Sequence, residues 1–336
     1  MSIRCRLFLR ALVILLLATL AGASLFAYRL LRTPEPVRLT DSAHAEKISF
    51  LALGDQGTGR PAQWRIAHAM ERVAAENSGV DFTVLMGDNF YSKGVRSTHD
   101  RQWNYKFENL YSGDHLKNIP FYAVLGNHDY RGDPEMEIRY GRERLGSGRW
   151  QMPDHHYSAD FGTDHGRPLL RIAFIDTNRS GEALAQEADF VRQAFSATGP
   201  GPVWRLVVGH HPVRNFGKHG ETPGLAAALL PALQASRIDF YLSGHDHDLQ
   251  VIARDGEPYY LICGGGGGEL YRVPAPHDAL IYADSDHGFM RIDVEPAALS
   301  ITYYDMTAKV MAHYSVARQC ADSATACLRS ADTAAP

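Results

Sequence analysis

Residues 51–55 read LALGD, and the same shape returns at 84–88 (VLMGD), 123–127 (AVLGN), 206–210 (LVVGH) and 241–245 (YLSGH). Each is an apolar, strand-like run that ends in glycine and then at once in a side chain able to bind a metal: Asp55, Asp88, Asn127, His210 and His245. Parallel α/β sheets place ligands at the carboxyl ends of their strands, and a glycine there lets the backbone turn sharply and approach a bound ion or anion. One such residue alone is usually a turn former or an ordinary surface or core histidine. Five in series point to strand ends that converge on one site.

The segments between these runs have helical period. A helix is predicted from about Pro61, with Ile66, Met70, Val73 and Ala74 on one face, and others over 181–197 and 225–235. Past Tyr259 the pattern changes to successive strands at 259–263, 289–294, 299–304 and 310–315 without long helices between them. The fold class expected is α/β, with mixed sheets packed face to face and covered by helices.

With 45% hydrophobic and 21% charged residues over 336 positions, the chain holds enough apolar material for one large or two small globular domains. The first 32 residues carry five arginines and no acid, which leaves the rest with 29 basic against 38 acidic residues, a net charge of −9. That sign disfavours a broad nucleic-acid face, while a small anion can still bind at a local metal site. The uncharged apolar run 11–28, bracketed by Arg10 and Arg29, reads as an export segment. Its length suits a retained membrane anchor of about 20 residues, and Ala21 and Ala23 offer a cleavage site, so both outcomes stay open. Residues 1–32 are thus signal or anchor, 33–46 a polar linker, 47–316 the catalytic domain and 317–336 a tail. In that tail Cys320 and Cys327 read as a disulfide suited to an oxidising compartment, two unpaired thiols being the alternative, and Cys263 reads as a buried strand residue.

Carboxylates, an amide oxygen and imidazoles suit manganese, iron or zinc better than calcium or copper(I). Two such ions clamp the attacking and leaving oxygens of an in-line displacement at phosphorus, and Asp88 is central enough to bridge them. The stretches GDQG (54–57), GDNFYSKGV (87–95), GNHDY (126–130), GHHP (209–212) and GHDH (244–247) resemble the motif series of calcineurin-like metallophosphoesterases. Tyr91, three residues after Asp88, is the mark of purple acid phosphatases, and residues 94–112 resemble their small, tartrate-resistant type.

The resemblance covers residues 48–315 and implies a four-layer α/β/β/α sandwich. It implies iron(III) on Asp55, Tyr91 and His247, a bridge at Asp88, and a divalent iron, zinc or manganese ion on Asn127, His210 and His245. His128 matches a residue that contacts substrate and assists protonation, and His219 matches a histidine that stands behind the ligands in the tartrate-resistant type; both are placed for leaving-group work, a solvated loop histidine being the alternative for His219. His211 departs from the pattern, standing where an aromatic residue is common. The glycines 264–268 lack the Lys-Ser or Lys-Thr of a nucleotide loop and read as close backbone approach beside the site.

The activity implied is hydrolysis of phosphomonoesters by in-line attack of a metal-bound hydroxide, with periplasmic or extracellular location. A phosphodiesterase or nucleotide pyrophosphatase on the same scaffold, and a tethered, non-catalytic metal-binding protein, are the alternatives. The expected partner is a phosphate ester. Neither nucleic acid nor a protein partner is indicated, and membrane contact depends on the N-terminal segment being kept.

Overall fold

Ile48, Phe50 and Ala52 of the first strand face one apolar layer, and Leu51 and Leu53 face another, all five fully buried. A strand covered on both faces reads as a continuous hydrophobic run, and this one sits at the middle of a stack of layers. The computed structural model describes residues 3–77, 79–196, 200–273 and 277–330.

In chain order the strands begin β1 (Ile48–Leu53), β2 (Phe82–Leu85), β3 (Phe121–Ala123), β4 (Trp150–Gln151), β5 (Tyr157–Asp164), β6 (Arg167–Phe174), β7 (Trp204–Val208) and β8 (Phe240–Ser243). They continue with β9 (Leu249–Ile252), β10 (Tyr259–Cys263), β11 (Leu280–Asp284), β12 (Gly288–Val294), β13 (Ala298–Asp305), β14 (Val310–Ala317) and β15 (Leu328–Ser330). One mixed sheet has the order β15-β14-β13-β12-β1-β2-β3-β4 and the other β11-β9-β10-β8-β7-β6-β5. Pairing is parallel from β1 to β4 and from β6 through β7 and β8 to β10, so those strands share carboxyl ends.

The longer helices are α1 (Ile3–Leu31), α2 (Pro61–Glu76), α3 (Pro134–Arg142), α4 (Gly181–Phe195) and α5 (Leu225–Ala235). Between the sheets lies the main core, with Phe50, Phe82 and Val84 from one side and Phe174, Val208 and Leu242 from the other. Ile66, Met70 and Val73 of α2 cover the outer face of the first sheet, and Leu184, Val191, Leu229 and Leu233 of α4 and α5 cover the second. This is the expected four-layer α/β/β/α sandwich. The helix predicted over 181–197 ends at Phe195, and Ala197 lies outside the described residues.

Residues 33–46 run along the domain surface, with Val37 N–H donating to Ser147 O and Thr40 N–H to Asn118 O, each at 2.9 Å. Cys320 and Cys327 are bonded, and β15 just beyond them pairs antiparallel with β14 at the sheet edge. In α1 the apolar stretch Phe8–Tyr28 is 21 residues long and 0% buried, so no protein core covers it. Helix α1 is therefore no core helix, and its apolar surface fits either a bilayer or a segment removed at export.

Candidate metal centre

The five glycine-terminated runs end on neighbouring strands: Asp55, Asp88 and Asn127 follow β1, β2 and β3, and His210 and His245 follow β7 and β8. Three donors thus come from one sheet and two from the other, at the edge where the carboxyl ends of both sheets meet. Asp55, Asp88 and His245 hold φ values of 60°, 53° and 69°, the left-handed region that non-glycine residues enter at a cost, commonly at functional sites. The glycines provide the room. A Cβ on Gly126 would lie 2.2 Å from Asp88 Oδ1, and one on Gly268 would lie 2.6 Å from the His247 ring. Close approach of the 264–268 backbone to the site is therefore a steric requirement of this packing.

All seven predicted ligands meet there. Tyr91 Oη lies 2.8 Å from Asp55 Oδ1 and 2.9 Å from His247 Nε2, and His247 Nε2 lies 3.3 Å from Asp55 Oδ1. On the other side, Asn127 Oδ1 lies 3.1 Å from His210 Nε2 and 3.0 Å from His245 Nδ1. Asp88 stands between the two groups. Its Oδ1 is 3.6 Å from His210 Nε2, and donor atoms of Asp55, Asp88 and His210 all fall within 4.8 Å of one another.

The tautomers show what these contacts are for. His210 Nδ1–H donates to Met86 O at 2.9 Å, which leaves Nε2 as a lone pair facing the Asn127 oxygen, another lone pair. His247 Nδ1–H donates to Glu269 O at 2.5 Å, so its Nε2 likewise faces the Asp55 carboxylate. With neutral imidazoles these are acceptors aimed at acceptors, a conflict that a cation at their common focus, metal or proton, relieves. A backbone carbonyl on the far ring nitrogen is the usual means of fixing a ligating histidine.

The sequence profile of the calcineurin-like phosphoesterase family matches residues 48–249. The chain belongs to that family. This phosphoesterase is 34% identical over 292 residues to purple acid phosphatase 3 of Arabidopsis thaliana, a match covering 80% of this chain and 77% of that protein. It is 28% identical over 306 residues to tartrate-resistant acid phosphatase type 5 of Rattus norvegicus, covering 83% of this chain and 93% of the relative. A solved structure described as GAP50, the anchor in the inner membrane complex of Plasmodium, is similar with a TM-score of 0.71 and 25% identity, over 80% of this chain and 87% of that one.

Electrostatics in the phosphoesterase agree with a cation focus. Burial opposes an imidazolium at His247, yet the Asp55 carboxylate outweighs it and lifts the group to about 9, so without a metal a proton occupies the place of positive charge. Burial, together with His210 and His211, pushes His245 down to about 2, which keeps it a neutral, ligand-ready imidazole at any working pH. Burial and the Asp55 and Asp88 carboxylates hold the Tyr91 phenol well above its ordinary range. Only a strong cation among those three oxygens reverses that preference.

His128 and His219 flank the donors. The Asp88 carboxylate accepts the His128 backbone N–H at 2.7 Å, and His128 Nε2 lies 3.9 Å from Asp88 Oδ2. His219 Nδ1 is 2.9 Å from Asp246 Oδ1, and the rings of His219 and His245 are 4.5 Å apart. Asp246 was not legible as a functional residue, although it lies inside GHDH between two predicted ligands; fully buried, it also accepts from the His219 backbone N–H.

Two other supports also escape the sequence reading. Asp129 is buried under the GNHD turn, where its carboxylate accepts the N–H groups of Gly126, Asn89 and Phe90. Thr177 Oγ1 lies 3.0 Å from His211 Nδ1 and accepts the His211 N–H, so the residue that departs from the family pattern is fixed beside His210 and His245. Asp129 has a weak signal, the Asp of the GNHD turn, whereas Thr177 has none.

Proposed function

We propose that this phosphoesterase is a purple-type acid phosphatase that cleaves small phosphomonoesters outside the cytoplasmic membrane. The carrying observation is the convergence of ligand atoms, above all His210 Nε2 on Asn127 Oδ1 and His247 Nε2 on Asp55 Oδ1. Asp55, Tyr91 and His247 would hold iron(III), Asn127, His210 and His245 a divalent iron, zinc or manganese ion, and Asp88 would serve both. When bound, such a pair neutralises phosphoryl charge and acidifies a water for in-line attack. The chain's own residues do the rest: His128 contacts the phosphoryl group and His219, backed by Asp246, protonates the leaving oxygen.

A cavity of about 330 Å³ opens beside Tyr91, His128 and His247, with Thr58 and Arg60 at its wall, a size that favours a small ester over a polymer. Turnover of a generic aryl phosphate, measured with added iron, zinc or manganese, tests the assignment. An inert protein that holds both metals would sink it. In that case a tethering role, as the GAP50 description suggests for its own protein, becomes the better reading.

The iron assignment carries its own prediction. Protein purified from iron-replete medium should show a visible charge-transfer band, because a trivalent ion turns the Tyr91 phenol, ordinarily near ~10, into a phenolate. Tyr91→Phe should lose that band. An active, colourless enzyme holding only zinc or manganese would refute iron and leave the phosphatase reading standing.

Export is tested separately by protease accessibility on intact spheroplasts. Release of the protein without detergent would show that Phe8–Tyr28 is not kept as an anchor.

A further inference from the structure

We infer that Tyr271 is a positioning residue that locks the iron-side ligand His247 to the loop carrying His219, with Lys218 as the clasp. The inference rests on the assignment of His247 as a ligand. Tyr271 follows the five glycines 264–268, and its ring lies parallel to that of His247, with centroids 4.3 Å apart and 6° between planes. Its backbone N–H also donates to His247 O at 2.9 Å, so ring and main chain hold the same residue. The Lys218 ammonium sits over the Tyr271 ring at 3.9 Å from the centroid, a cation–π contact from the residue just before His219. His219 completes the set edge-on, 5.2 Å from the Tyr271 ring at 76°.

This arrangement joins two parts of the site that share no strand. His247 is fixed at its ring edge by the Glu269 carbonyl at Nδ1 and by Tyr91 and Asp55 at Nε2, and those in-plane contacts leave the ring face to be held by something else. Stacking on Tyr271 supports that face. The His219 loop is held on its inner side by Asp246, which takes the His219 and Asn215 donors, and on its outer side by Lys218 on Tyr271. Without the ring, Asp246 still ties the His219 loop to the segment carrying His247, but the face of the His247 ring and the outer side of the loop lose their common support. A displacement of about 1 Å in such groups costs roughly 10²-fold in rate. Tyr271 also lines the cavity next to Tyr91 and His128, yet among the described residues its contacts are made by ring and backbone alone, so phenylalanine retains them all.

The test uses the full chain. With metals loaded, Tyr271→Leu should lower kcat on an aryl phosphate by about 10- to 100-fold with KM changed less than about threefold, and release metal faster to a chelator. Tyr271→Phe should restore most of both losses. In metal-free protein, the Lys218 ε-methylene protons should resonate upfield through the aromatic ring current in the wild type and in Tyr271→Phe, and return to ordinary positions in Tyr271→Leu. Lys218→Met, which leaves the core intact, should lower kcat by about three- to tenfold, the scale of one cation–π contact. Wild-type kcat in Tyr271→Leu, or in Lys218→Met should the leucine variant fail to fold, overturns the proposal. So does a Lys218 methylene at its ordinary shift in the wild type. Because the methylene signal needs no metal, it fails independently of the metal-site reading, whose own test is loss of turnover on removing Asp88.

Discussion

Asp88→Ala should release both metals and lower phosphatase turnover by more than about 10³-fold, beyond what loss of a single oxyanion donor costs. Asp88 is a carboxylate placed between the two donor groups, 3.6 Å from His210 Nε2 through Oδ1 and within the same 4.8 Å cluster as Asp55. Removing it takes a ligand from each ion at once and also frees the His128 backbone N–H, which now donates to Asp88 Oδ1 at 2.7 Å. The alanine adds a backbone cost, since residue 88 has φ 53°, a region that asparagine tolerates better. Asp88→Asn is therefore the companion variant: it keeps the turn and the shape while removing the charge and replacing one ligand oxygen by an amide NH2. Metal content and aryl phosphate turnover are measured in both, with circular dichroism as the check on folding. Near-normal turnover in either would end the binuclear reading.

What the sequence made legible follows from where its signals are strongest. The runs ending in Asp55, Asp88, Asn127, His210 and His245 were readable because buried parallel strands are continuously apolar and their glycine turns are abrupt. The helices at 61 and 225 were readable because each buries one face against a sheet. Strand β5, YSADFGTD, was not, because at the sheet edge its burial follows no clean alternation, and α3, PEMEIRYGR, is too short and charged to stand out from a loop. Strand β15 gains its partner only through the chain reversal that the Cys320–Cys327 bridge encloses.

In the site the same division holds. Ligands sit in local motifs, while their supports are long-range pairs: His219 with Asp246, 27 residues on, and His211 with Thr177, 34 residues back. No spacing in one sequence encodes those contacts. The tertiary fold makes them.

His219→Ala should keep both metals and lower turnover by roughly 10²- to 10⁴-fold, the usual scale for a positioned general acid. The geometry gives the direction. Asp246 accepts His219 Nδ1–H at 2.9 Å and the backbone N–H at 3.2 Å, so Nε2 is the nitrogen left to face the leaving oxygen. His219 is no predicted ligand, although its ring lies 4.5 Å from that of His245, which is why the metals should stay. Asp246→Asn should fall between this variant and the wild type, because the amide either loses one of its donors or presents N–H against the Asn215 amide that now donates to it. His128→Ala should lower turnover on the same scale through another route if it acts on the phosphoryl group as proposed, since its Nε2 lies 3.9 Å from the bridging carboxylate of Asp88. Leaving groups separate the two histidines. An aryl phosphate with a highly acidic phenol needs no protonation, so it should rescue His219→Ala and leave His128→Ala impaired. Loss of metal from His219→Ala, or equal rescue of both variants, would show that His219 holds the site together and donates no proton.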